Sequence, residues 1–154
     1  MLKIILTVLS VLYAVPSISS EWVPVKNTGL YFDISRIKKD EKTGDLFVWK
    51  KFVMPDSEVK KLQLTTLKNN WKLDFSNYGW TVTRNGINCK NESTYLLSLT
   101  YYADSGDAIY TKTYNAYEER QNSSVVTPDS IQEVFLNTVC EYVANPNKTK
   151  KSGR

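Results

Sequence analysis

The sequence predicts an α+β fold: an antiparallel sheet of about six strands with one C-terminal helix packed on it. Three observations predict this. Short runs rich in Tyr, Thr, Val and Ile recur between turn signals from Trp22 onward. One stretch, 127-TPDSIQEVFLNTVCEYVA-144, combines a helix start, an apolar stripe at helical spacing and a stop. A helix with a single apolar face must lie on another layer to bury it, and a sheet is the layer on offer.

The chain has 154 residues, which is one domain by size. Its first segment stands apart. Lys3 gives a basic start, and Ile4 to Val15 is apolar except for Thr7 and Ser10. Pro16 and the small residues Ser17, Ser19 and Ser20 follow. This is the layout of a secretory signal peptide over 1–20, cleaved after Ser19 or Ser20. The apolar run would cover about 18 Å as helix, against a hydrocarbon core of roughly 30 Å, so no membrane span is expected. The expected domain is 21–145, followed by a basic flexible tail over 146–154. No cysteine precedes Cys89, so the mature N-terminus is expected to carry no lipid, and the product to be exported.

Trp22-Val23-Pro24-Val25 reads as a first short strand, with Pro24 suited to a sheet edge. Lys26 to Gly29 is a turn and 30-LYFD-33 a second strand. Residues 35-SRIKKDEKTGD-45 form a polar connection ending in a turn. In 46-LFVWKKFV-53, Phe47 and Trp49 fall on one face and Leu46, Val48 and Phe52 on the other. Pro55 to Glu58 interrupts. The stretch 59–75 reads either way: Leu62 and Leu64 alternate like a strand, while Leu64, Leu67 and Trp71 fit a helical stripe. A strand or short helix leading into a loop is expected. Next come 79-GWTVTRNGINC-89, 94-TYLLSLTYY-102 and 108-AIYTKTYN-115, joined by connections short enough for hairpins. Residues 116–126 are a long polar link. In the helix, Thr127 is the expected N-cap and Pro128 the first helical residue, with Asp129 and Glu133 complementing the positive end of the helix dipole. Ile131, Val134, Phe135, Thr138 and Tyr142 form its expected inner face. Asn145-Pro146 ends it.

The formal net charge is +4, but its placement matters more than its size. Removing Lys3 leaves +3, and 148-KTKKSGR-154 alone holds four cations and no acid, so the body is near −1. A nucleic-acid groove needs basic residues clustered on the folded surface, so no nucleic-acid partner is expected. The chain has no histidine. That removes the commonest general base, the commonest metal ligand and every Ser-His or Cys-His arrangement. Two cysteines far apart, without neighbouring Cys or His, have no zinc spacing. No Gly-rich phosphate loop and no Gly-x-Ser-x-Gly occurs. Asp104 and Asp107 flank Gly106 and read as turn residues, and Glu118-Glu119 as a solvated pair. No catalytic residue, metal or cofactor is expected, and the protein is read as a non-enzyme. Asn91-Glu92-Ser93, Asn122-Ser123-Ser124 and Asn147-Lys148-Thr149 fit the glycosylation pattern, which is short and frequent by chance.

Aromatic residues make up 12% of the chain, and most belong in a sheet core. Tyr101-Tyr102 and Trp49-Lys50-Lys51 must place side chains on both faces of their strands, so some are expected outside. Tyr and Trp on an open face make a recognition surface.

The order of these features resembles the surface-adhesin protein E family of Gram-negative bacteria. Trp22-Val23-Pro24-Val25 precedes 31-YFDISRI-37, an aromatic strand carries Val48-Trp49, Asn88-Cys89-Lys90-Asn91 opens a hairpin, and Thr127-Pro128-Asp129 starts a C-terminal helix carrying Cys140. The resemblance spans about Glu21 to Asn145. It implies a sheet of about six strands with a helix held to it by a disulfide. It implies binding of host extracellular-matrix and plasma proteins such as vitronectin, laminin and plasminogen, by a monomer or homodimer. It also implies a ligand region rich in basic and aromatic residues around the first cysteine, here Tyr78 to Tyr101. Within it we single out Trp80, Arg84, Lys90, Tyr95 and Tyr101. This chain departs in lacking a cysteine at the leader's end. In 78-YGWTVTRNGINCK-90 it carries only Arg84 and Lys90 as cations.

Cys89 and Cys140 are the only cysteines. In an exported protein they are expected to pair, closing a loop of about 50 residues and contributing about 4 kcal/mol in the chain-entropy view. The functional expectation is an exported protein-binding domain of adhesin type, located in the periplasm, on the surface or outside the cell. Its alternative is a periplasmic envelope accessory or inhibitor-type protein with no adhesion role.

Overall fold

The alternation along 46-LFVWKKF-52 sets the two faces of the sheet, because successive strand side chains point to opposite sides. The computed structural model describes residues 19–146. Nearly all of the expected leader and tail lies outside the described residues. The strands are β1 (Trp22–Val25), β2 (Leu30–Asp33), β3 (Lys38–Lys39), β4 (Leu46–Phe52), β5 (Tyr78–Asn88), β6 (Ser93–Ala103), β7 (Ala108–Thr113) and β8 (Ser124–Val125). They form one sheet in the order β1-β2-β4-β5-β6-β7, with every neighbouring pair antiparallel. The two-residue strands β3 and β8 extend it, β3 beside Leu46 and Phe47, β8 beside Ser93 and Thr94. The six longer strands are those expected, and Pro24 sits exposed on the edge strand. At an edge, its missing N–H costs no ladder bond.

The 14-residue helix α3 (Ile131–Ala144) lies on one face and closes the core. Val25, Phe32, Leu46, Val48 and Ile87 meet Phe135, Leu136 and Val139 there, with Val126 beneath. A disulfide of 2.02 Å joins Cys89, just past β5, to Cys140 on α3. This is the tethered helix-on-sheet arrangement that the resemblance implied.

Three local expectations need correction. First, α3 starts at Ile131 with Ser130 as its N-cap, not at Pro128 with Thr127. The Glu133 N–H donates to Ser130 Oγ (3.1 Å), and Glu133 Oε2 accepts from the Asp129 N–H (2.7 Å). This reciprocal pair satisfies two otherwise orphan donors, and Asp129 in the left-handed region (φ 60°) keeps the helix from starting at Pro128. Second, the buried stripe of α3 is Phe135, Leu136 and Val139, while Ile131 and Val134 are 60% and 41% exposed. Apolar residues occur on two sides of this helix, and the bond at Cys140 turns the Leu136–Val139 side to the sheet. Third, residues 116–126 are more than a link. They contain the short helix α2 (Ala116–Gln121), capped by Asn115, and then β8.

The ambiguous stretch is a helix, α1 (Asp56–Lys68). Pro55 opens it, Asp56 and Glu58 fill the first turn, and the left-handed Asn70 (φ 56°) follows its end. The predicted stripe points outward: Leu64 is 66% and Trp71 55% exposed. The inner side is mixed, with half-buried Val59 and Leu62 beside polar Gln63 and Thr66, whose polar groups are satisfied. Buried Thr66 donates to the Gln63 carbonyl (2.8 Å), and Gln63 Oε1 accepts from the Phe75 N–H (2.7 Å). Those bonds fold residues 71–77 back so that Phe75 is buried edge-on against Tyr101 (5.2 Å).

Candidate functional site

The face opposite α3 carries alternating aromatic and cationic side chains, and strand register puts them there. Directly paired residues share a face. Tyr31 pairs with Lys51 and Lys51 with Val82. Trp49 pairs with Arg84, and Phe47 with Gly86. Trp80 pairs with Tyr102. Diagonal neighbours then stack. The Lys51 ammonium lies 4.7 Å from the Trp80 ring and 6.0 Å from Trp22. The Arg84 guanidinium lies 5.2 Å from Phe47 and 6.0 Å from Trp49, and Arg36 covers Trp49 at 5.7 Å. Trp80 and Tyr102 stack at 5.5 Å. None of these side chains is buried. Stacking holds each cation in place; Arg36 also donates to Asp33, while Lys51 and Arg84 make no such bond among the described residues.

The charge balance of the face is set by two buried carboxylates, each already neutralised. Asp33 accepts from Ser35 Oγ (2.6 Å), Arg36 Nε (2.5 Å) and the Glu21 N–H (3.1 Å). Burial alone pushes its carboxyl up, and these hydrogen bonds outweigh burial and hold it below the usual carboxylate range. Asp45 accepts from Arg120 Nε (2.7 Å), Asn88 Nδ2 (2.7 Å) and Tyr95 OH (2.9 Å). Burial again raises it, and the same donors bring it below the usual range. Asp45 thus joins α2 to β5 and β6. Among the described residues, Lys38, Lys51 and Arg84 have no carboxylate at ion-pair distance, so the face carries uncompensated positive charge. A cleft of about 330 Å³ opens there, lined by Ser35, Arg36, Lys38, Phe47, Trp49 and Arg84.

Of the five residues singled out from the sequence, Trp80 and Arg84 come together on this face. Lys90 is exposed in the turn between β5 and β6, beside the disulfide and beyond the stacked rows. Tyr95 is buried, with its hydroxyl bound to Asp45 and its ring over Gly86; a Cβ at Gly86 would approach that ring to 2.1 Å. Burial and then the Asp45 carboxylate push its phenol well up. Tyr101 lies on the α3 side, between Phe75 and Tyr110. Trp22, Tyr31, Arg36, Phe47, Trp49 and Lys51 were not singled out. The alternation of 47-FVWKK-51 signalled that Phe47, Trp49 and Lys51 share a face, but not that Trp80 and Arg84 share it too. Between 78 and 90 the cations are only Arg84 and Lys90; the others on this face, Arg36, Lys38 and Lys51, come from elsewhere in the chain.

Among the described residues, no helix is long and apolar enough to cross a membrane, and no group of His, Cys, Asp and Glu is arranged to hold a metal ion. No curated protein and no solved structure gives a significant match. The model of one family, described as surface-adhesin protein E, matches residues 22–141. That span runs from the first residue of β1 into α3 and takes in both cysteines, the stacked rows and the Asp45 contacts, so the chain belongs to the surface-adhesin protein E family.

Proposed function

We propose that this protein is an exported, non-catalytic adhesin that holds host extracellular-matrix and plasma proteins on the sheet face opposite α3. The observation that carries the reading is the row of half-exposed Trp, Tyr and Arg side chains immobilised by mutual stacking. Such residues dominate protein interfaces because they bury large area at small conformational cost. Family membership supports the adhesin part. Residues 1–20 act as the export leader, and the basic residues 148–154 are not needed for binding.

Surface labelling and protease shaving of intact cells test the location. An adhesin is accessible from outside; recovery solely in the osmotic-shock fraction would favour the periplasmic accessory or inhibitor reading. Solid-phase binding to vitronectin and laminin at raised salt tests the ligand class. Replacing Trp49 and Arg84 together should abolish that binding, whereas deleting 148–154 should leave it unchanged. A deletion that removed all binding would move the activity to the tail.

A further inference from the structure

We infer that the cleft between Arg36, Lys38, Phe47, Trp49 and Arg84 takes an acidic peptide segment whose carboxylates alternate with apolar side chains. The inference rests on the binding-face reading above and names the chemistry of its ligand. Three cations line the cleft and no acid does. Arg36 already shares its charge with Asp33, while Lys38 and Arg84 have no counter-ion among the described residues. A basic segment would therefore meet repulsion, and an acidic one attraction. Arg84 lies over Phe47 and Trp49. Its ring-facing surface is covered, but the N–H edge of the guanidinium stays available, which is the geometry that grips a carboxylate with two parallel hydrogen bonds. The rings beside it offer apolar contact to the residue next to that carboxylate. The volume of about 330 Å³ suits a side chain and its neighbour rather than a larger body. A sulfated polysaccharide is the less fitting occupant. Polyanions gain affinity from many closely spaced cations that release counter-ions, and here aromatic rings separate the cations.

The test is calorimetric titration of the exported chain with a twelve-residue peptide alternating Glu with Leu and Phe. Two control peptides replace every Glu by Gln or by Lys, and a heparin fragment forms a further arm. The acidic peptide should bind, with the Gln peptide at least about ten-fold weaker and the Lys peptide silent. Arg84→Gln should weaken the acidic peptide at least about ten-fold, and Arg84→Lys by less, since it keeps charge without the paired donors. Lys68→Gln, exposed at the end of α1 and outside the cleft, should change nothing. An unchanged thermal midpoint in each variant shows that the fold is kept. Equal binding of the acidic and Gln peptides would overturn the inference. So would heparin binding without peptide binding, or self-association lost in Arg84→Gln without peptide binding, which would assign the cleft to a glycan or to a second copy. Vitronectin and laminin are titrated alongside. If they bind through Arg84 and the acidic peptide does not, the inference falls and the adhesin reading stands. Peptide binding without matrix binding gives the reverse, and no binding of either overturns both.

Discussion

Lys50 and Lys51 are adjacent in β4 and live in opposite surroundings. Lys51 lies over Trp22 and Trp80 on the open face. Lys50 points beneath α3, with its ammonium 5.2 Å from the Phe135 ring and one polar partner, Gln132 Oε1, at 3.3 Å. Burial pulls its pKa down to about 8. Between that value and the unfolded value of 10.5, the unfolded chain binds the extra proton, so stability rises with pH across this window. Below about pH 8 both states are charged and the burial cost is felt in full. Lys50→Met should raise stability at neutral pH by on the order of 2 kcal/mol and remove the alkaline rise. Denaturant titrations of both proteins between neutral pH and about pH 10 measure the difference, and parallel curves would contradict the buried charge. Gly86 is a second residue-scale case. Its missing side chain lets the Tyr95 ring lie flat on β5, so Gly86→Ala must move the ring and break its bond to Asp45. We expect a loss of about 2–4 kcal/mol. Tyr95→Phe, which removes only the hydroxyl, should cost about 1 kcal/mol. Equal losses in the two variants would show that the close approach is not what matters at Gly86.

At the scale of elements, α3 illustrates how a helix can be legible while its orientation is not. Its residue types and its end at Ala144 follow from local signals. Its inner face does not, because Ile131 and Val134 compete with Leu136 and Val139 for burial. The disulfide decides the matter by linking Cys140 to Cys89, with Cα atoms 5.8 Å apart. Closing a loop of 51 residues should stabilise the fold by about 4 kcal/mol in the chain-entropy view. Replacing both cysteines with alanine should therefore lower the denaturation midpoint and expose α3 to hydrogen exchange before the central strands β4 and β5. Simultaneous loss of protection in helix and sheet would mean that the tether acts on the whole fold rather than on α3. Helix α1 was ambiguous for a different reason. Its one buried residue, Thr66, is polar, as is the half-buried Gln63, and the exposed Leu64 and Leu67 compete with the half-buried Val59 and Leu62, so its hydrophobic pattern does not mark its inner side. Hydrogen bonds to residues 73 and 75, and to its own backbone, make that arrangement tolerable.

At the scale of the whole molecule, the two buried carboxylates set the acid limit. Asp33 and Asp45 both have lowered pKa values. Each contributes stability that is present above the unfolded value of 3.8 and is lost as pH falls through the lower folded one. Asp45→Asn should flatten part of the acid limb in a stability–pH profile, and an unchanged acid limb would show that Asp45 is not ionised in the fold. Asp45 also shows where reading stops. Its partners Asn88, Tyr95 and Arg120 lie 43, 50 and 75 residues away, and nothing local to any of them announces the contact. The binding face has the same character. The strands, the C-terminal helix and the two-faced pattern of β4 were determined by the sequence alone, because side-chain alternation and helix signals act over a few neighbouring residues. The partner that each strand face meets was decided only by tertiary structure. Register aligned Trp49 with Arg84 and set Lys51 beside Trp80, while the 3-10 turn after β2 brought in Arg36 and Lys38. Tyr95 and Tyr101 had the composition of a binding surface, yet one was drawn into the Asp45 contacts and the other to the helix side. Composition states what a side chain can do, and only the pairing of distant strands determines which neighbours it does it with.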